Sequence, residues 1–125
     1  MTTSLREMIE DFADLFYRQR QPRLAFEKYV SPNYIQHNPN LLDGPESALE
    51  MLEPMFAREG AQFEVKRIIV EAPFAVIHLH GRADAATLGG AVADIYRVEN
   101  GKIVEHWDVL QAIPADRRNP RDMVA

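Results

Sequence analysis

The sequence predicts an α+β domain in which helices come first and an antiparallel sheet follows. Three observations carry this. Before Gly60, apolar residues recur at steps of three and four, the spacing of one helix face. After Gly60 they alternate within β-branched segments, the spacing of half-buried strands. The 125 residues suffice for one hydrophobic core and not for two ordinary domains, so 1–125 is expected to be a single domain with a polar tail over 114–125.

The elements follow in order. Ser4 and Glu7 have the spacing of a capping box, and Leu5, Met8, Ile9, Phe12, Leu15 and Phe16 form the apolar stripe of a first helix. Pro22 suits the first turn of a short second helix carrying Leu24, Phe26 and Tyr29. Ser31-Pro32 should end it, because the residue before a proline is pushed out of the α region. Residues 34 to 37 read as a brief strand. Asn38-Pro39-Asn40 and Asp43-Gly44-Pro45 are turn chemistry, and a third helix starts near Pro45 with Leu49, Leu52, Met55 and Phe56 inward and Pro54 as a point of kinking. Strands are expected over 63–70, 74–82, 91–98 and 103–112, and the tail from Pro114 is expected to fray or lie across the surface.

Composition narrows the function. Hydrophobic residues make up 46% and charged residues 26%, so the chain has the means to fold. The net charge of −5, with basic residues scattered and not in a stripe, argues against a nucleic-acid surface. Without cysteine there is no disulfide framework, thiolate metal site or cysteine nucleophile. Arg6, Glu7, Glu10 and Asp11 interrupt the stretch where a signal peptide would be apolar, and no segment reaches membrane-spanning length, so a cytoplasmic protein without a membrane partner is expected. The six glycines form no phosphate loop, and Ser4, Ser31 and Ser47 sit at caps or turns, so neither a nucleotide cofactor nor a serine nucleophile is expected.

Alternation decides which polar residues meet. Phe74, Val76, His78 and His80 fall on one face of their strand, and Val104, His106, Asp108 and Leu110 on one face of theirs. The last two strands join at Glu99-Asn100-Gly101, either by a two-residue turn placing Asp94 opposite Trp107 or by a three-residue bulged turn placing Asp94 opposite His106 and Val92 opposite Asp108. The bulged turn is favoured because it gathers Asp94, His106 and Asp108 on one face, beside Tyr96 and Leu110. Stability alone would not choose this, since buried carboxyl groups cost several kcal/mol unless neutralised, hydrogen-bonded or hydrated. A sheet with one wet face, these residues merely solvated, is the alternative.

The segment running from Asp94-Ile95-Tyr96-Arg97 through Glu99-Asn100-Gly101-Lys102 to Glu105-His106-Trp107-Asp108 resembles the C-terminal signature of SnoaL-like proteins in the nuclear transport factor 2-like superfamily. Tyr34-Ile35-Gln36-His37-Asn38-Pro39, followed by Asp43-Gly44 and a helix, is similar to that family's pocket-edge strand. The resemblance implies a cone: a strongly bent antiparallel sheet wrapped around the N-terminal helices, with a pocket at the wide end and frequent homodimers through the outer sheet face. It places an acid/base for intramolecular aldol condensation at Asp108, working without metal or organic cofactor, and Asp94 where polyketide cyclases of this type carry a histidine. Asp94-Ile95-Tyr96-Arg97 also resembles the strand on which ketosteroid isomerase carries a protonated acid, though that enzyme's base falls near Asn38. The Arg-x-Asp pair of limonene epoxide hydrolase falls near His78 and His80, where both members are histidine.

These readings converge on a cofactor-independent acid/base enzyme for a small, mostly apolar carbonyl compound, an aldol-type cyclase or an isomerase. Asp108, Asp94 and His106 are the catalytic candidates; His37, His78, His80 and Tyr34 are the substrate-binding ones. Four histidines raise the question of a metal, but their spacing is no strong ligand pattern and none is expected. Trp107 and Val109 alternate with the pocket residues and point to a homodimer interface. The alternative function is a non-catalytic ligand-binding and dimerisation module.

Overall fold

The computed structural model describes residues 4–125, so Met1 to Thr3, where the expected domain begins, lie outside the described residues. Helix α1 (Leu5–Ala13) is capped as its sequence requires: the Ser4 hydroxyl accepts from the Glu7 backbone N–H at 3.1 Å. Its stripe buries Met8, Ile9 and Phe12. Over Asp14–Arg18 the helix widens into a π-helical turn, with the Gln19 N–H bonding back to the Asp14 carbonyl at 2.8 Å, and Phe16 and Tyr17 are both buried there. Such turns are rare and frequent at functional sites.

Helix α2 (Pro22–Tyr29) ends earlier than Ser31-Pro32, which instead belong to strand β1 (Val30–Gln36). A proline is tolerated there because β1 is an edge strand whose pairing is irregular between Val30 and Ile35. Helix α3 (Pro45–Ala57) starts where expected and continues through Pro54. Strands β2 (Gln62–Glu71), β3 (Phe74–Arg82), β4 (Gly90–Glu99) and β5 (Lys102–Ala112) fall within a residue of their expected limits.

The sheet order is β1-β5-β4-β3-β2. From β2 to β5 it is an antiparallel meander, but β1 pairs with β5 in parallel, so the sheet is mixed. The long excursion through α3 and three strands supplies the crossover that parallel pairing needs. The α+β, cone-like class is as expected. The core lies between the helices and the inner sheet face, where Ile9 and Phe12 pack with Ala75, Ile77, Leu79, Tyr96 and Ile103. The Phe12 ring stacks on Phe16 at 5.2 Å and meets Tyr96 edge-on at 5.3 Å, geometries that add to simple area burial. The polar tail does not fray: Val124 is fully buried, and Arg67 donates to the Ala125 carbonyl. No described helix is long and apolar enough to cross a membrane.

The β4–β5 junction differs from both expected registers. Asn100 (φ 52°) and Gly101 (φ 74°) make a two-residue turn in left-handed backbone, pairing Glu99 with Lys102 and Val98 with Ile103. The bulge sits inside β5: Arg97 pairs with Glu105, leaving Val104 as the extra residue. Tyr96 therefore faces His106 and Asp94 faces Asp108. The expected sharing of one face holds; the cross-strand partner of Asp94 is Asp108, not His106.

Two glycines with the same φ of 74° separate conformational from steric demand. A β carbon at Gly89 would lie 2.0 Å from the Gly81 carbonyl oxygen, whereas one at Gly101 would meet nothing within 4 Å. Gly89→Ala is expected to cost about 3 kcal/mol or more and Gly101→Ala about 1–2 kcal/mol, read as unequal falls in thermal midpoint. Equal small falls would show that the chain before β4 yields freely.

Candidate functional site

Between the inner sheet face and helices α2 and α3 lies a cavity of about 380 Å³, within the range of small-molecule sites. Its walls are mostly apolar, from Phe16, Phe26, Met51, Leu52, Met55 and Phe56. One end is polar. There Asp94, His106 and Asp108 each place a ligand-type atom within 4.8 Å of the others. Asp94 is 9% exposed and His106 7%, so both must be satisfied by the protein, while Asp108 is more open.

The hydrogen bonds do this. Tyr17, carried by the π-helical turn, donates to Asp94 Oδ2 at 2.6 Å and lies 2.8 Å from the Tyr96 hydroxyl. Because Tyr17 spends its single hydrogen on Asp94, Tyr96 is the donor in the second bond. Asp94 Oδ1 lies 2.9 Å from His106 Nε2, and His106 Nδ1 lies 2.7 Å from Gln36 Oε1. Gln36 Nε2 donates in turn to the Tyr34 hydroxyl at 2.7 Å. Asp108 is held on one oxygen, Oδ2, by the Asn38 side-chain amide at 2.8 Å. Among the described residues its other oxygen has no hydrogen-bond partner.

Burial, and then the neighbouring Asp94 carboxyl group, push the Tyr17 and Tyr96 phenols well above their ordinary range. Tyr34 is raised for the same two reasons in the same order. All three hydroxyls therefore keep their hydrogens across the physiological range; Tyr17 and Tyr96 are donors in the bonds above, and Tyr34 accepts from Gln36.

Residues 9–106 match the SnoaL-like domain. The chain belongs to that family. Solved structures agree on the fold. A SnoaL-like polyketide cyclase from Agrobacterium tumefaciens is 21% identical with a TM-score of 0.63, covering 88% of this chain and 93% of its own. TsrD from Streptomyces laurentii is 20% identical with a TM-score of 0.67, covering 86% and 91%. An NTF2-like protein of unknown function from Mesorhizobium loti is 18% identical with a TM-score of 0.70, covering 86% and 90%. No curated protein matches the chain in sequence.

In this SnoaL-like domain the expected site residues divide. Asp94, His106, Asp108 and Tyr34 line the cavity. His37, His78 and His80 do not. Strand β3 turns Ala75, Ile77 and Leu79 into the core, which sends His78 and His80 to the outer face, against Arg67 and the Leu88 carbonyl respectively. The His37 ring stacks on Trp107 at 4.8 Å with the planes 3° apart and meets the Glu105 carboxylate at 2.7 Å. That contact, followed by Arg97, holds the Glu105 carboxyl below its usual range. Sequence reasoning missed Tyr17, Gln36 and Asn38. The last two were readable: alternation through Tyr34-Ile35-Gln36-His37-Asn38 groups 34, 36 and 38 and sets His37 opposite.

The triad also has the donor set of a metal site, with Nε2 as the imidazole ligand and Gln36 as its outer support. In this structure Nε2 is occupied by Asp94.

Tyr17→Phe tests the buried network. It strips Asp94 Oδ2 of a donor and the Tyr96 hydroxyl of an acceptor, and is expected to cost about 1–3 kcal/mol in chemical denaturation. A variant as stable as the parent would show that water replaces the phenol without penalty.

Proposed function

We propose that this protein is a cofactor-independent acid/base enzyme acting on a small, mostly apolar carbonyl compound, by aldol condensation with cyclisation or by isomerisation. What supports this most is the placing of Asp108, with one oxygen uncommitted, beside the Asp94–His106 pair at the polar end of an otherwise apolar cavity. The substrate's body lies among Phe16, Phe26, Met55 and Phe56, and its carbonyl end reaches the carboxyl groups. Asp108 takes the hydrogen on the carbon next to the carbonyl. The C–H electron pair moves into the enolate, and the proton that Asp94 shares with His106 is donated toward the developing oxygen. In condensation the enolate carbon attacks a second carbonyl carbon of the same molecule, whose oxygen takes up the proton that Asp108 removed. In isomerisation Asp108 returns the proton to a different carbon.

Asp108→Asn keeps the shape of the side chain but cannot take up and return a proton at neutral pH. It is expected to bind carbonyl compounds like the parent, to lower turnover about a hundred- to ten-thousand-fold, and to melt at the same temperature or higher, since a carboxyl group held for function commonly costs stability. Melting far below the parent would make Asp108 a structural anchor. Binding without turnover across a panel of carbonyl compounds favours the ligand-binding module. Chelation is expected to leave turnover unchanged; loss that a divalent cation restores would reassign the triad to a metal.

The same reading joins two copies through the outer sheet face, where Phe74, Ile69 and Val109 are exposed beside Trp107. Light scattering at micromolar concentration is expected to give a dimer, and Val109→Glu a monomer. A monomeric parent removes the interface.

A further inference from the structure

We propose that Gln36 is a positioning residue that sets the proton content of the site, by committing His106 to share one proton with Asp94. Gln36 closes β1 and pairs with His106 in the parallel ladder, so the backbone itself brings the two side chains together. The orientation of the amide is fixed by a group that can only donate: the Asn38 backbone N–H lies 3.0 Å from Oε1. The amide NH₂ then falls to the Tyr34 hydroxyl. A carbonyl oxygen only accepts, so the 2.7 Å contact to His106 Nδ1 requires a hydrogen on Nδ1.

The consequence appears on the other side of the ring. With Nδ1 protonated, Nε2 of a neutral imidazole is a bare lone pair, and it faces Asp94 Oδ1 at 2.9 Å. Two lone pairs do not settle at that distance in a buried site, so one proton lies between them. Written as imidazolium with carboxylate or as imidazole with carboxylic acid, the pair holds the same number of hydrogens and no net charge. Tyr17 on Asp94 Oδ2 is compatible with both forms. The pair is therefore a charge-neutral proton donor beside Asp108, which is the division of labour an acid/base site needs. Without the acceptor at Gln36, His106 takes the other tautomer, donates Nε2–H to an Asp94 carboxylate, and the pair has one proton fewer.

The functional weight of Gln36 rests on the acid/base reading; the position of the proton does not. The test is ¹⁵N NMR of histidine-labelled protein at neutral pH, with the His106 signals identified as those absent from His106→Gln. In the parent, Nδ1 is expected to carry hydrogen. In Gln36→Leu the hydrogen is expected to leave Nδ1 and remain on Nε2, whereas Gln36→Glu, which keeps an acceptor and guards against a folding defect in the first variant, retains Nδ1–H. A bare Nδ1 in the parent, or a Gln36→Leu spectrum unchanged from it, overturns the proposal. Turnover separates the two claims: Gln36→Leu is expected to lose about a hundred-fold in kcat with little change in KM, the low end of what acid–base catalysis contributes, and Gln36→Glu to recover part of it. The expected nitrogen pattern with no carbonyl turnover in any form, parent included, leaves the proton placement standing and removes the enzymatic reading. Turnover in a parent whose Nδ1 is bare does the reverse.

Discussion

Two residues of left-handed backbone, Asn100 and Gly101, and one extra residue, Val104, determine which way the end of the chain's last strand faces. A one-residue slip in a strand moves every side chain to the opposite side of the sheet. The two-residue turn alone would have put His106 and Asp108 on the outer face and Trp107 in the cavity. The bulge at Val104 reverses that, so the polar end of the cavity depends on it. It also places β5 so that β1 can pair along its free edge and deliver Gln36 to His106 and Asn38 to Asp108.

The polar end is built at a cost that its hydrogen bonds offset. Taking a carboxyl group and an imidazole out of water is tolerated only when every lone pair and hydrogen has a partner. Asp94 meets this with Tyr17 and His106, and His106 with Asp94 and Gln36. The Tyr17 phenol reaches Asp94 from the widened turn that follows α1. Asp108 is the exception: it is less buried and held on one side only. A group left partly uncommitted beside a fully satisfied network is the arrangement expected where a ligand completes the bonding. Asn38, just past the end of β1, secures the carboxyl group of a different strand.

Much of this was legible in the sequence. The limits of β2 to β5 followed from alternation, whereas β1 begins four residues before the expected strand; the sharing of a face by Asp94, His106 and Asp108 followed from parity, which a three-residue turn and a two-residue turn with an internal bulge both satisfy. The location of the bulge was not legible, because nothing about Val104 distinguishes it from its neighbours. His78 and His80 were misplaced because both faces of β3 carry apolar residues, Ala75, Ile77 and Leu79 on one and Phe74 and Val76 on the other. His37 was misplaced because its segment was read as a brief strand without asking which side it presents. Tyr17 lay beyond reach: its spacing is that of an ordinary core residue, and only the π-helical turn and the distant pairing with Asp94 give its hydroxyl a role.

The proposed activity requires that the cavity bind a carbonyl compound and remove hydrogen from the carbon beside the carbonyl. The most direct measurement places a bound apolar ketone in deuterated water and follows, by NMR, replacement of hydrogen at that carbon. Replacement is expected far faster with the parent than in buffer, and at the buffer rate with Asp108→Asn. Tight binding with replacement no faster than in buffer would contradict it, and would leave a pocket that holds its ligand without chemistry.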